Sequence, residues 1–290
     1  MLFKLKIAIL CLVLVSCQKI PAGMGIDAMG DDTGEDADAN VTLVAPAAVT
    51  EELGRLDVSL YDEDGKRLRT VNQQSTTAGY GTIALALREG NYRVVAVAHN
   101  GVEKAAMAHA EKITFASNKM TDTFCYTTLL SVGEDGVTER LALRRVVAKV
   151  VFRFTDDLQA KGVAQLKFYY TGGSSTLDAL TGRGCVNSRQ TELRTVTDQT
   201  TAYELYTMPH SDEGKLKITV TALTAEGTTL LTRTYENVPV KVNNVTEWQG
   251  SLWDAAPTDR YIIKRIGIDL DTEWEGVIEV NGNGNGNVNG

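Results

Sequence analysis

A short stretch near the middle of the 290-residue chain limits the possible folds more than any other segment. Residues 141–154 read LALRRVVAKVVFRF, and the apolar residues Leu141 and Leu143 at its start are odd-numbered. After the pair Arg144 and Arg145, the apolar series is even-numbered: Val146, Ala148, Val150, Phe152 and Phe154. Side chains of a strand alternate between two faces, so this change moves the buried face to the other side of the chain. The break predicts that one β-domain ends here and a second begins.

A helix is the alternative for the same stretch. One apolar stripe at helical spacing also runs through it: Leu143, Val147, Val150, Val151 and Phe154. The density of β-branched and aromatic residues favours a strand over a helix. No residue type in this segment indicates chemistry, so the role that it predicts is architectural.

Short alternating runs separated by turn signals extend on both sides of this stretch. Leu56, Val58 and Leu60 alternate along one face of a run, and the Asp64-Gly65 pair that follows predicts a hairpin. Further turns are expected at three acid-glycine pairs that end at Gly136, Gly214 and Gly227. Short strands at this spacing are typical of β-sandwiches or barrels. Together with the change of face, they predict an all-β fold of two sandwiches in tandem.

Two segments depart from the strand pattern. Residues 102–111 are rich in alanine and predict a short helix or a loop. Residues 172–187 contain four glycines and several hydroxyl side chains, so they predict a long polar loop.

The N-terminus has the pattern of an export signal. Lys4 and Lys6 are followed by an apolar region at 7–15, which is too short to span a bilayer. The sequence LVSC then ends at Cys17 and looks like a bacterial lipobox, in which the cysteine is lipidated and becomes the first residue after cleavage. An ordinary signal peptide with an incidental Cys17 is the alternative. Because no better small-x-small cleavage site lies nearby, we predict lipidation at Cys17.

Negative charge is concentrated close behind the signal. Residues 20–54 contain eight acids and no Lys or Arg, so this segment carries a charge of −8. The net charge of the whole chain is also −8, so the charges of the remaining residues sum to zero. Residues 18–40 lack apolar periodicity, so we expect them to act as an extended tether. No basic field is left to attract phosphate groups, so nucleic acid is excluded as a partner.

Two cysteines besides Cys17 belong to the predicted mature chain. Cys125 and Cys185 can pair in an oxidising compartment, or each can be a small buried hydrophobic residue or a partly exposed thiol. They have no CxxC or Cys/His spacing, which argues against a zinc site.

Nothing in the sequence indicates catalysis. His99, His109 and His210 are scattered, without an HExxH pattern or a pair four residues apart. The neighbours His210, Ser211 and Asp212 do not converge as a catalytic triad must. We therefore predict no catalytic residues, no metal and no cofactor, and we do not expect an enzyme.

Aromatic residues cluster towards the C-terminus, and two interpretations stay open. Trp248, Trp253 and Trp274, with Tyr235 and Tyr261 nearby, could form a stacking platform for sugars. Aromatic residues of a sandwich more often fill its core, because they bury large areas.

The last long apolar run points to assembly. The even-numbered residues Ile262, Ile266, Ile268 and Leu270 share one face of a strand-like segment. A strand at a chain end can add to the open sheet edge of a neighbouring molecule. Pairing within its own domain is the alternative.

Several motifs, in this order, resemble the fimbrillin superfamily of Bacteroidetes surface pili, that is, FimA/FimB-type fimbrial subunit lipoproteins. They follow the lipobox and the acidic tether and cover most of the chain after Val41: LDVSLYDEDGKRLRTV at 56–71, REGNYRVVAVAHN at 88–100, LALRRVVAKVVFRF at 141–154 and VPVKVNNVTEWQGSLW at 238–253.

The resemblance implies two tandem transthyretin-like β-sandwich domains, export to the outer membrane at the cell surface, and assembly with other fimbrial subunits by β-strand addition. With it, the chain divides into a lipoprotein signal at 1–16, an acidic tether at 17–40, β-sandwiches at 41–143 and 144–280, and a flexible Asn/Gly tail at 281–290.

The resemblance also bears on maturation. In shaft subunits of that superfamily, a protease cuts after an arginine near the N-terminus and opens a groove for a neighbour's C-terminal strand. Here the first arginine is Arg55, at the start of the second predicted strand, which makes it the candidate cleavage site. We expect an anchor or accessory subunit held by Cys17. A shaft or tip subunit, or a surface carbohydrate-binding lipoprotein, is the alternative, with a host protein or glycan as a further partner.

Overall fold

The structure is a computed structural model that describes residues 38–254, 260–261 and 276–278. Within these residues almost all regular structure is β. The exceptions there are a short helix, α1 (Ala47–Glu52), and a 3-10 turn at Ala116–Asn118. The predicted all-β class is confirmed. No helix in the described ranges is long and apolar enough to cross a membrane.

The strands are numbered along the chain. Those up to the predicted break are β1 (Val41–Val44), β2 (Arg55–Tyr61), β3 (Arg67–Gln74), β4 (Thr82–Leu85), β5 (Gly90–His99), β6 (Ala106–His109), β7 (Lys112–Thr114), β8 (Thr123–Val132), β9 (Val137–Arg140) and β10 (Arg144–Arg145). Those that follow are β11 (Ala148–Phe154), β12 (Gln165–Thr171), β13 (Thr176–Asp178), β14 (Arg183–Gly184), β15 (Gln190–Thr195), β16 (Tyr203–Thr207), β17 (Glu213–Leu223), β18 (Thr229–Lys241), β19 (Asn244–Gly250), β20 (Arg260–Tyr261) and β21 (Gly276–Ile278).

Two sheets enclose a first hydrophobic core. One has the strand order β10-β8-β5-β2-β3, and the other has the order β4-β1-β9. Leu56, Val58 and Leu60 of β2 point into this core, as their alternation predicts, and meet Leu43 of β1 and Ile83 of β4. All five side chains are at most 1% exposed, which is the burial expected of a sandwich interior.

Two further sheets enclose a second core. Their strand orders are β16-β11-β19-β20, with β21 also on β19, and β15-β12-β17-β18. Phe152 lies at the centre of this core, and its ring centroid is 5.7 Å from Phe168, 5.1 Å from Tyr235 and 5.5 Å from Trp248. Such tilted aromatic contacts add to the free energy gained from burying the rings.

The change of face at the centre of the chain is confirmed. Leu141 and Leu143 belong to the first core, whereas Ala148, Val150 and Phe152 belong to the second. Residues 148–154 form strand β11, so the helix alternative is wrong. The arginine pair that marks the break forms β10, which still pairs with β8 of the first set of sheets.

A fifth sheet joins strands from before and after the break. The sheet β14-β13-β7-β6 contains β7 next to β13, with Ile113 opposite Leu177. A third hydrophobic cluster lies at this junction and includes Val97, Met107 and Met208. Buried apolar contacts and main-chain hydrogen bonds therefore both connect the two sets of sheets.

This junction overturns two local predictions. Residues 102–111 contain strand β6 instead of a helix or loop, because β7 supplies a hydrogen-bonding partner that overrides the helix propensity of alanine. Residues 172–187 contain β13 and β14 instead of one long loop. Ser174 and Ser175 there are at most 1% exposed, and their hydroxyl groups are hydrogen-bonded, which lets polar residues lie inside the protein.

The predicted turns are mostly confirmed. Gly65 and Gly227 have φ angles of 77° and 80° in tight turns between paired strands, and Gly136 ends a turn before β9. The turn expected at Gly214 is wrong, because this glycine lies inside β17 opposite Val240.

Arg145 ties the junction together. Its guanidinium donates two hydrogen bonds to the carboxylate of Asp122, at 2.7 and 2.9 Å, and one to the Asn243 side-chain oxygen at 2.9 Å. It also lies 4.5 Å from the ring centroid of Phe124. The Arg145 side chain is 2% exposed, so its charge depends on these partners for solvation.

We expect Arg145→Ala to lower the free energy of unfolding by about 3–5 kcal/mol, because it leaves a partly buried carboxylate without this partner. The neighbouring Arg144 is exposed and gives a matched control. We expect Arg144→Ala to change the free energy by less than about 0.5 kcal/mol. Urea unfolding followed by tryptophan fluorescence measures both, and equal losses would contradict the proposed role of Arg145.

The two cysteines in the described part of the chain are free thiols. Cys125 is buried in the third cluster, and Cys185 is exposed. The disulfide that the sequence left open is therefore not formed. Burial raises the pKa of the Cys125 thiol to about 12, and partial burial also raises the pKa of Cys185.

Thiol modification is expected to separate the two residues. The thiolate is the reactive form, so at pH 8 a maleimide should modify Cys185 and leave Cys125 unmodified in the folded protein. Raising the pH towards 9 should speed the reaction of Cys185 alone, whereas both should react in urea. Peptide mass spectrometry of the chain that begins at Gln18 measures this, and comparable native rates would show that Cys125 is accessible.

Candidate functional site

The first candidate surface is the position that β1 occupies. β1 lies inside its sheet, antiparallel to β4 on one side and parallel to β9 on the other. Val41 is 1% exposed and Leu43 is fully buried in the first core. The Asn40 side chain exchanges two hydrogen bonds of 2.9 Å with the main chain of Leu87 and so fixes the entry to the strand. Removing β1 would separate β4 from β9 and open a groove lined by apolar side chains.

Arg55, the predicted cleavage site, lies at the start of β2. The main chain there pairs with His99 of β5 on one side and Gln74 of β3 on the other. The Arg55 side chain is 9% exposed, and its Nη1 donates to the carbonyl of Val102 at 3.2 Å. Proteases cut exposed and flexible segments, so cleavage after Arg55 requires β2 to leave the centre of its sheet first.

Arg55 belongs to a buried polar cluster together with Asp57 and His99. The Asp57 carboxylate lies 3.0 Å from His99 Nε2 and 3.8 Å from Arg55 Nη2, and it accepts a 2.7 Å hydrogen bond from the main-chain N–H of Ala105. The N–H of Gly101 donates to His99 Nδ1 at 2.9 Å. The cluster therefore holds residues 100–105 against the sheet.

Sequence reasoning missed Asp57 and its pairing with His99. Both side chains are completely buried. The available signal was an acid in the middle of an apolar run, but alternation alone assigned that position to the outer face of the sheet. The structure covers that face with the third cluster.

The other histidines do not converge on this cluster. His109 is exposed, and His210 donates from Nδ1 to the carbonyl of Gly184 at 2.8 Å. In the ranges that the structure describes, no group of His, Cys, Asp and Glu is arranged to hold a metal ion.

The aromatic residues of the predicted sugar platform are divided by the structure. Trp248 and Tyr235 are 1% and 4% exposed, and their ring centroids lie 5.0 Å apart in the second core. Trp253 is partly buried beside the same core, with Lys161 Nζ 5.0 Å from its ring centroid. The core interpretation is confirmed for Trp248 and Tyr235. Trp274 lies outside the described residues.

The second candidate surface is the outer edge of β19. On its inner side, β19 pairs in parallel with β11 over six residue pairs. On its outer side, β20 pairs with it through two residue pairs and β21 through three. The predicted exchange residues Ile262, Ile266, Ile268 and Leu270 lie between β20 and β21 in sequence, outside the described residues, as does the predicted lipidation site Cys17.

The fold is shared with a solved structure. A candidate polysaccharide-binding protein from Bacteroides thetaiotaomicron superposes with a TM-score of 0.50 at 13% identity, over 77% of this chain and 94% of that one. At this identity the similarity shows a common fold alone. A candidate adhesin from Bacteroides ovatus has a TM-score of 0.49 at 16% identity, over 74% of this chain and 88% of that one. The fimbrial anchor protein Mfa2 from Porphyromonas gingivalis gives 0.41 at 12% identity, over 77% and 94%.

No curated protein matches the sequence. The family described as fimbrillin-A associated anchor proteins Mfa1 and Mfa2 matches residues 35–283, which include both candidate surfaces and the strands between them. The predicted resemblance to fimbrial subunits is confirmed by this match. The chain belongs to the family of fimbrillin-A associated anchor proteins Mfa1 and Mfa2, and it is a structural subunit of a cell-surface fimbria.

Proposed function

We propose that this fimbrial subunit is an anchor, which is held in the outer membrane by a lipid on Cys17 and joined to the next subunit by its C-terminal segment. The observation that carries the proposal is the position of β1. It fills the middle of its sheet, and the first arginine that could release it by cleavage is Arg55, which is buried in the neighbouring sheet. A subunit that keeps β1 has no open groove there to accept a strand. It can donate a strand at one end of a fibre, which is what an anchor needs.

The proposed anchor consists of two tandem transthyretin-like domains, residues 41–143 and 144–280. The separate hydrophobic cores support this division, because the first draws on residues up to Leu143 and the second begins at Ala148. The shared sheet and Arg145 would keep the two domains in a fixed relation.

In this proposal the segment that carries Ile262, Ile266, Ile268 and Leu270 pairs with a neighbouring subunit. Its two described ends hold the edge of β19 by only five residue pairs in total, two from β20 and three from β21. The net stability of a main-chain hydrogen bond in water is only about 0.5–1.5 kcal/mol. The segment can therefore exchange this edge for a longer pairing with a partner at small cost.

Lipidation is tested with Cys17→Ala, and Cys11→Ala in the same signal region is the matched control. We expect the wild type and Cys11→Ala to incorporate labelled fatty acid and to sediment with the outer membrane. Cys17→Ala should lose both properties. Mass spectrometry of the mature N-terminus should find a modified Cys17 and an uncut bond after Arg55. A mature chain that begins at Leu56 would overturn the anchor proposal in favour of a shaft subunit.

Strand exchange is tested by deletion of residues 261–290. We expect this deletion to abolish association with purified fimbriae, because it removes the proposed donor strand. Deletion of residues 281–290 alone removes the Asn/Gly tail, and we expect it to leave association unchanged. Co-sedimentation of each variant with fibres measures the difference. Full association without residues 261–290 would rule out strand exchange through this segment.

A further inference from the structure

The chain is held firmly at the point where it leaves β19. The Asp156 carboxylate, which follows the end of β11, accepts a hydrogen bond from the Ser251 hydroxyl at 3.0 Å and another from the main-chain N–H of Leu252 at 2.5 Å. One residue earlier, the N–H of Thr155 donates to the carbonyl of Gly250 at 2.9 Å. Hydrogen bonds to a charged acceptor are about twice as strong as neutral ones.

Arg233 of β18 holds the same segment through its carbonyl groups. Its Nη1 donates to the carbonyl of Ser251 at 2.5 Å, and its Nη2 donates to the carbonyl of Asp254. The Ser251 hydroxyl oxygen also accepts from the N–H groups of Trp253 at 3.1 Å and Asp254 at 3.0 Å. Residues 251–254 are thus held both by hydrogen bonds that they donate and by hydrogen bonds that they accept.

Side-chain packing completes this arrangement. Leu252 is 1% exposed and belongs to the second core. Lys161 Nζ lies 5.0 Å from the ring centroid of Trp253 and 3.9 Å from Asp156 Oδ1. The Asp156 side chain is 7% exposed, so its charge is largely shielded from water. We call the group formed by Asp156, Lys161, Arg233 and residues 251–254 the root clamp.

We propose that the root clamp positions the exchangeable C-terminal segment and carries the tension that an attached fibre exerts on it. The proposal rests on the strand exchange proposed above. Among the described residues, β19 is the last strand that contributes to the second core, and Trp248 lies in that core. A pull passed directly into β19 would therefore load its parallel pairing with β11 and draw Trp248 out of the core. A pull on the chain beyond Asp254 meets the root clamp first and is distributed to β11 and β18. The five pairs made by β20 and β21 can then separate while the second core stays closed.

The proposal is tested by single-molecule pulling on the chain that begins at Gln18. One handle is attached at Lys66→Cys in the exposed turn after β2, in a Cys185→Ser background, and the other at the C-terminal end. We expect Asp156→Ala combined with Arg233→Ala to shorten the lifetime of the second core under constant force about tenfold or more, because charge-assisted hydrogen bonds that resist the pull are lost. The control is Lys217→Ala combined with Glu236→Ala, which removes an exposed ion pair between β17 and β18.

A second pulling direction separates a positioning role from general stability. With the second handle at Glu226→Cys, in the exposed turn between β17 and β18, the load enters through that turn and does not pull on residues 251–254. We expect the double variant to keep the wild-type lifetime in this direction. Equal shortening in both directions, an unchanged lifetime in the first direction, or the same shortening in the control would overturn the proposal. If the double variant does not fold, Asp156→Asn, which removes one acceptor and keeps the side-chain shape, replaces it.

These measurements distinguish the root clamp from the proposed function. The pulling experiment uses isolated molecules, so its outcome does not depend on whether fibres form. If the lifetime difference is absent but fibre association still depends on residues 261–290, the root clamp alone is rejected. If the lifetime difference is present but fibre association does not depend on residues 261–290, strand exchange is rejected. The root clamp would then only resist force at the end of the second core.

Discussion

The hydrogen bonds of the buried Arg145 side chain are the interactions on which the relative placement of the two halves depends. A guanidinium that is 2% exposed needs a full set of partners, and these come from Asp122 before the break and Asn243 far after it. An arrangement that separates the halves would leave Arg145 paired with Asp122 but would break its hydrogen bond to Asn243. The hydrogen bond to Asn243 therefore favours the observed placement of the sheets, which the apolar third cluster and the β7–β13 pairing also stabilise.

Patterns within a single strand were predictable from the sequence. The alternation of Leu56, Val58 and Leu60 and the change of face between Leu143 and Ala148 both follow from the two-residue period of a strand, which is a local property. The pairing of Ile113 with Leu177 was not predictable, because nothing local to either short strand names a partner so distant in sequence. The same reason explains why the alanine-rich segment at 102–111 was expected to be a short helix or a loop.

The candidate site was predictable in part. Roles for Cys17 and for the apolar residues after Tyr261 were predicted from motif and alternation, and they stay predictions because both lie outside the described residues. The burial of Arg55 was not predicted, since an arginine at a predicted strand start is normally assigned to solvent. It is buried because β2 is covered on both faces, by the first core and by the third cluster. Its guanidinium is compensated there by the Asp57 carboxylate and by a hydrogen bond to the carbonyl of Val102.

The pairing of β1 also has a consequence for how the molecule folds after export. Val41 pairs with Leu85 on one side and Val137 on the other, so the pairing of β1 is complete only after β9 has been placed. Contacts between residues so far apart in sequence form slowly. Each newly exported molecule therefore passes through an interval in which the β9 side of β1 is still unpaired. During that interval the chain's own β9 competes with strands of other molecules for this edge of β1, and it has the advantage of being attached.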